Sequence, residues 1–193
     1  MHVNPLILSA LVYFALVLLI AQRRAPGEYL PRRHTISQLA AQGYPKKRLM
    51  QAGFIVYGTL FTTGLVATML QSQAPIYRDL PSLVYGLALL PTGVFCSVPF
   101  FRSVRVSRRE ARMHAMSAQI SAGAFGAGIG VHAVFATDVA TLGFHLLSLL
   151  VYWGGAVWFA RTRRSMGAAQ RLMYAYGSVW LLATYGSGLL IAA

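Results

Sequence analysis

Two histidines and one aspartate are the residues of this sequence whose types and spacing could support chemistry. His132, Asp138 and His145 lie within one short stretch of the chain. Neutral imidazole and carboxylate are ordinary metal ligands, and a carboxylate can also orient an imidazole that serves as a general base. A third interpretation is a polar cluster that closes a helical hairpin. The spacing follows no HExxH-like metal motif, so the three interpretations stay open and no residue is predicted to be catalytic.

A haem group is a further interpretation of the histidines. His114 and His132 are eighteen positions apart, which corresponds to five turns of an α-helix, so they would share one face at its opposite ends. His145 could be the outer axial partner, but His34 belongs to a basic loop and supplies no embedded inner partner. One b-type haem between His132 and His145 is therefore conceivable, in a cramped geometry.

The elements that carry these residues are defined by the distribution of charge. The 193 residues include seventeen Lys and Arg but four Asp and Glu, for a net charge of +13. All but Arg78 of the basic residues fall in three stretches, Arg23–Arg48, Arg102–Arg112 and Arg161–Arg171, separated by apolar runs. This alternation is typical of a membrane protein whose basic connections are cytoplasmic. It predicts that both termini face outward.

The composition excludes a soluble protein. The chain is 56% hydrophobic and 11% charged, whereas soluble domains have about 25% charged residues. A basic nucleic-acid-binding protein carries its charge on a soluble folded face, and here the segments between the basic stretches are lipid-soluble. We therefore expect no nucleic-acid partner, and we expect anionic lipid to be attracted to the basic loops.

Six segments are long enough to cross a hydrocarbon core of about 30 Å. The predicted class is all-α, a polytopic bundle that forms one transmembrane domain over residues 1–193 in the bacterial inner (cytoplasmic) membrane. The predicted spans are residues 5–22, 49–70, 80–101, 115–136, 142–160 and 172–193. Arg78, Asp79 and Asp138 fall in the two short outer connections. Because no Asp, Glu, Lys or Arg lies in the middle of a predicted span, a charge-driven transporter is not expected.

The fourth predicted span is unusually rich in small residues, which allow helices to approach closely. Gly123, Gly126 and Gly130 are the glycines singled out in it. Pro91 lies inside the third span and predicts a kink there. Together these two helices would form either a tight packing surface or the wall of a ligand pocket.

One stretch of the chain resembles a known family. His34-Thr-Ile-Ser-Gln-Leu39, then Gly43-Tyr-Pro45, and then Leu49-Met-Gln-Ala-Gly-Phe54 are similar to motifs of the six-helix prokaryotic membrane family catalogued as domain of unknown function 998. The pair Asp138 and His145 also resembles that family. The resemblance implies six spans and assigns no reaction.

The resemblance also marks Ser37 and Gly53 as motif residues of unassigned role. The sequence departs from the family at Gln38, where an acid is common, and at Ala136, where Pro often precedes the Asp. Within the motif loop, Thr35 or Ser37 could cap a short helix from Ile36 to Gln42. We expect that helix to lie in the membrane interface under its basic flanks.

These observations favour a protein without catalytic machinery. It would act as an accessory subunit of a membrane complex, with a membrane-protein partner, or as a binder of a lipid-like molecule between its helices. The alternative is a membrane enzyme or a metal- or haem-binding protein that uses His132, Asp138 and His145 on the outer face.

Overall fold

The computed structural model describes residues 4–72, 74–101 and 105–186. These residues form six α-helices, a five-residue 3₁₀ helix and a π-helical segment, with no β-structure beyond one isolated bridge between Ala41 and Ser97. The α-helices are α1 (Pro5–Arg23), α2 (Lys47–Gln71), α3 (Ile76–Val94), α4 (Arg108–Val134), α5 (Val139–Arg161) and α6 (Met166–Leu181). The 3₁₀ helix (Ile36–Ala40) is called the loop helix below, and Leu182–Gly186 is called the π segment.

Three helices, α1, α2 and α5, are long and apolar enough to cross a membrane. They are also the helices whose bounds agree best with the sequence prediction. Their apolar runs indicate a membrane protein, and the all-α class is confirmed for the part of the chain that the structure describes.

The predicted bounds of the other helices were wrong in specific ways. α3 begins at Ile76 rather than Leu80, so Arg78 and Asp79 lie in its first turn instead of in a connection. It ends at Val94, three residues after Pro91, and Phe95–Phe101 are not helical. α4 extends back to Arg108 because the Ser107 hydroxyl accepts a hydrogen bond from the Glu110 amide and caps the helix. α6 begins at Met166, and residues 187–193 of its predicted span lie outside the described residues.

Each helix packs against the next one along the chain, and the π segment packs against α1. The rings of Phe14 in α1 and Tyr174 in α6 also stack, with centroids 5.4 Å apart. The helices therefore form a closed ring. The end of the ring that carries the described residues of the three basic stretches is called the basic end. The end that holds Asn4, Gln71, Asp79, Val134 and Asp138 is called the opposite end.

The α2–α3 interface depends on glycine. A Cβ atom on Gly58 would lie 2.9 Å from the carbonyl oxygen of Gly86. Because that neighbour is backbone and cannot move aside cheaply, a side chain at this position would force the two helices apart. Close backbone approach through small residues is the usual way in which membrane helices gain van der Waals contact.

The loop between α1 and α2 folds back against the basic end of the ring. Arg171 of α6 holds it there, because its Nη1 donates to the Pro31 and His34 carbonyls at 2.6 and 3.0 Å and its Nη2 donates to the Tyr29 hydroxyl at 2.6 Å. A Cβ atom on Gly167 would collide with the same two carbonyls. The loop is therefore an integral part of the fold.

The loop helix is shorter and more buried than the sequence predicted. Of the two predicted caps, Thr35 is the one observed, and it forms a reciprocal capping box with Gln38. It ends at Ala40 rather than Gln42, and Ile36 and Leu39 are completely buried within the protein. Both apolar side chains therefore pack against the protein and not against lipid.

Candidate functional site

The structure brings His132 and His145 together at the opposite end of the ring. Their ring centroids are 5.7 Å apart, and both side chains are buried. Trp180 of α6 links them, because its Nε1 donates to His145 Nδ1 at 3.0 Å while its ring packs edge-on against His132. The pairing follows from the short connection between α4 and α5, which was the basis of the prediction.

The hydrogen bonds of the Asp138 side chain go to Thr141 and not to either histidine. It is exposed and caps α5, with Oδ1 accepting from the Thr141 amide at 2.8 Å and Oδ2 accepting from the Thr141 hydroxyl at 2.6 Å. These hydrogen bonds hold the pKa of the Asp138 carboxyl below its usual value. Its observed contacts are those of a helix cap.

The carboxylate that does contact a histidine is Asp79, which sequence analysis assigned to a connection. It is 2% exposed, and its Oδ1 accepts from His132 Nε2 at 3.1 Å and from the Tyr185 hydroxyl at 3.0 Å. Its Oδ2 accepts from Arg78 at 3.0 Å. Pro75, which directly precedes α3, was the sequence signal that Asp79 lies in a helix rather than in a connection, because proline is common at the start of a helix.

The residues Asp79, His132 and Tyr185, with Ser82 and Arg78 around them, are called the polar cluster below. The Tyr185 hydroxyl lies 2.9 Å from His132 Nε2 and 3.0 Å from Ser82 Oγ. The polar atoms thus satisfy one another, as a buried network requires. A metal or haem iron on His132 Nε2 or His145 Nδ1 would have to replace these bonds, and no group of three or more His, Cys, Asp or Glu suited to a metal ion occurs in the described ranges.

The other half of the ring, toward the basic end, encloses a cavity of about 600 Å³. One face of α4 forms a wall of small side chains, which are Ala111, Ala115, Ala118 and Ala122. Tyr57, Tyr85 and Phe125 lie at the end nearest the polar cluster. Ser37 and Gln38 of the loop helix and its cap Thr35 line the cavity at the basic end. The cavity is therefore mostly apolar and is lined by α2 to α6.

The cavity opens between α4 and α5. Near the middle of the two helices they are joined, because the Tyr152 hydroxyl donates to the Ala122 carbonyl at 2.9 Å. Farther toward the basic end, the lining residues Ala115 and Gln119 of α4 and Phe159 of α5 are exposed. A molecule could therefore enter sideways between these two helices.

The glycines singled out in α4 have different surroundings from these alanines. A Cβ atom on Gly126 would lie 2.9 Å from the Trp153 ring, so this glycine allows α5 to pack closely. Gly123 and Gly130 have no atom near the corresponding position. Pro91 accepts the last hydrogen bond of α3, from the Phe95 amide at 3.0 Å. None of these four residues lines the cavity.

The two motif residues also have defined surroundings. Ser37 lines the cavity, and its carbonyl accepts from the Ser97 hydroxyl at 2.7 Å, which ties the loop helix to the segment after α3. Gly53 lies in the α1–α2 interface, where a Cβ atom would be 2.8 Å from Val17 Cγ1.

His114 is a cavity residue that sequence analysis considered only as a haem ligand. It is 4% exposed, and its Nδ1 lies 2.9 Å from the Phe95 carbonyl oxygen. Its Nε2 is buried and has no hydrogen-bond partner within the described residues. A buried, unpaired polar atom beside a cavity is an exception that calls for an explanation.

Comparison with known proteins yields one match. The sequence profile of a family described as Protein of unknown function (DUF998) matches residues 7–185. The resemblance inferred from the motifs is thereby confirmed. No curated protein and no solved structure matches the chain.

Proposed function

This chain belongs to the DUF998 family, and we propose that it binds a largely apolar small molecule in the cavity lined by α2 to α6. The observation that carries the proposal is the cavity itself. Its volume of about 600 Å³ lies in the range of about 300–1,000 Å³ that is usual for ligand sites. Its few polar groups on an apolar lining are also usual for such sites.

The lining argues for binding by burial of apolar surface. Alanines of α4 and the aromatic rings of Tyr57, Tyr85 and Phe125 form much of the wall. Burying apolar ligand area stabilises a complex by roughly 25 cal/mol per Å² before the costs of association are subtracted. The opening lies between α4 and α5, and α5 is a membrane-span candidate. A ligand would therefore enter from the bilayer rather than from water.

The proposed setting is the cytoplasmic membrane of a bacterium, crossed by all six helices with both termini outside. The segregation of basic residues to one end of the ring supports this orientation, because Lys and Arg are enriched in cytoplasmic connections. The cavity would then open toward the cytoplasmic leaflet, and the basic loops beside it would attract anionic lipid.

The geometry favours binding over catalysis. The polar cluster holds the carboxylate and imidazole that an acid–base mechanism would need, but its atoms bond to one another. The rings of Phe125 and Trp180, with centroids 5.4 Å apart, lie between it and the cavity. An enzyme that used His132 would have to open this network to substrate. An accessory subunit, by contrast, would not require a cavity of this size.

The test compares two phenylalanine substitutions on α4. Ala118 lines the cavity, whereas Ala127 is exposed and does not. Protein in nanodiscs of native lipid extract is analysed by mass spectrometry for retained small molecules. We expect a compound retained at about one per protein by the wild type and by Ala127→Phe, and lost from Ala118→Phe. Retention of the same compounds by all three proteins would contradict the proposal, and a stoichiometric protein partner without any such compound would support the subunit instead.

A further inference from the structure

We infer that the part of the ligand enclosed by this cavity is uncharged and presents a hydrogen-bond donor, such as the hydroxyl group of an alcohol or a phenol, to Nε2 of His114. This inference rests on the proposed binding function and names the chemical class of the ligand. It starts from the one cavity residue that is more than nine-tenths buried and has a polar side-chain atom without a partner in the described structure.

The hydrogen bond at Nδ1 determines what Nε2 can do. A carbonyl oxygen can only accept, so the contact of 2.9 Å between His114 Nδ1 and the Phe95 carbonyl requires a proton on Nδ1. In the neutral ring, Nε2 then carries a lone pair and acts as an acceptor. It would be satisfied by a ligand O–H or N–H donor, and an ether or a ketone oxygen would leave it unpaired.

The other buried hydroxyl groups around the cavity already have partners. Tyr57 and Tyr85 bond to each other at 2.8 Å, Tyr152 donates to the Ala122 carbonyl at 2.9 Å, and Ser121 donates to the Tyr85 carbonyl at 3.3 Å. Among the fully buried side chains of the lining, the unmet acceptor at His114 is therefore the position at which a ligand hydroxyl gains most. Leaving a buried acceptor unpaired costs about 1–3 kcal/mol.

The charge of the ligand follows from the lining. Among the described residues around the cavity, none is Asp, Glu, Lys or Arg. Burial of an unpaired charge is far more costly than burial of a hydroxyl, so the enclosed part of the ligand is neutral. His114 lies toward the basic end and the aromatic residues Tyr85 and Phe125 lie farther in, so the hydroxyl points to the basic end and the apolar body points inward.

A matched pair of probes tests the inference. 4-Heptylphenol and 4-heptylanisole differ in that the second replaces the hydroxyl with a methyl ether. Equilibrium partitioning of each probe into nanodiscs with protein is measured against empty nanodiscs of the same lipid. We expect the wild-type protein to bind the phenol about tenfold more tightly than the anisole, as one hydrogen bond to a buried acceptor warrants.

Substitutions separate this inference from the binding function. His114→Phe keeps a ring but removes the acceptor, so the two probes should then bind equally, while Ala118→Phe should weaken both and Ala127→Phe neither. Equal binding of the two probes by the wild type would overturn the hydroxyl assignment and leave the cavity as a binding site. This comparison uses the wild-type protein alone, so it does not depend on whether a variant folds. Failure of the wild type to bind either probe would overturn both proposals. Preference for the phenol that persists in His114→Phe would assign the hydroxyl to another residue and overturn the role of His114.

Discussion

Removal of the Tyr185 hydroxyl should show whether the polar cluster stabilises the fold as a unit. The hydroxyl donates to Asp79 Oδ1 at 3.0 Å, and both side chains are 2% exposed. A hydrogen bond to a charged group contributes about 1.5–3 kcal/mol, but pairwise couplings in a membrane protein average about 0.6 kcal/mol and reach about 1.7 kcal/mol. Because this bond is buried and charge-assisted, we expect a coupling energy near the upper limit, about 1–1.7 kcal/mol.

The measurement is a double-mutant cycle of Tyr185→Phe and Asp79→Ala, in which each substitution removes one partner of the hydrogen bond. Reversible unfolding in mixed micelles of SDS and a mild detergent, followed by tryptophan fluorescence, gives the free energy of unfolding of each variant. Tyr176→Phe is the matched control, because its hydroxyl lies 3.5 Å from Ser148 Oγ, at the limit of a hydrogen bond. We expect that control to change the free energy of unfolding by no more than about 0.5 kcal/mol.

Additivity would refute the reasoning. If the losses from Tyr185→Phe and Asp79→Ala add to within about 0.3 kcal/mol, the two groups do not stabilise each other. If Tyr176→Phe costs as much as Tyr185→Phe, the effect belongs to the loss of any tyrosine hydroxyl. Either outcome would remove the polar cluster as a determinant of how α3, α4 and the π segment pack.

Two further predictions concern residues that the sequence singled out. Gly53→Ala should destabilise the fold by about 1–3 kcal/mol, because the new Cβ would lie 2.8 Å from Val17 Cγ1, and adding Val17→Ala should restore the lost stability. Gly154→Ala is the control, because its Cβ would meet no atom within 4 Å and should not destabilise the fold. Equal losses at the two glycines in unfolding assays would contradict the packing argument. Hydrogen bonds from Thr141 keep the pKa of Asp138 low, so its carboxylate contributes stability above its unfolded pKa of about 3.9, and this contribution is lost as the pH falls through the folded pKa. The melting temperature of Asp138→Ala should therefore lie below that of the wild type at pH 7 and approach it under acid conditions, and a constant difference across that range would count against the cap.

The sequence was informative where the signal is local. The apolar runs of α1, α2 and α5 predicted those helices closely, since burial in lipid depends on consecutive residues. The motif residues Thr35 and Gln38 form a capping box, which their spacing in the sequence predicts. The role of Asp138 as a cap was also accessible, because Asp just before an apolar run is a common helix start.

The features that depend on distant residues were not accessible in the same way. Asp79 follows Arg78, and a hydropathy reading assigns both to a connection. The partners of Asp79 are His132 and Tyr185, which lie 53 and 106 positions away, so nothing in its own neighbourhood indicates burial. The small residues of α4 predicted either packing or a pocket, and only the positions of the neighbouring helices separate the glycines from the alanines.

The two halves of α4 explain why one helix carries both arrangements. In the half toward the opposite end, Gly126 and Gly128 let Trp153 and Ser82 come within 2.9 Å of where a Cβ atom would be, so the neighbouring helices close tightly there. The polar cluster bonds α3, α4 and the π segment in the same region. Toward the basic end, the alanines of α4 line the cavity instead. Close helix contact at the opposite end thus holds α4 in the position from which it forms the cavity wall at the basic end. A variant that loosens the polar cluster should therefore also widen the cavity and weaken discrimination between ligands of different size.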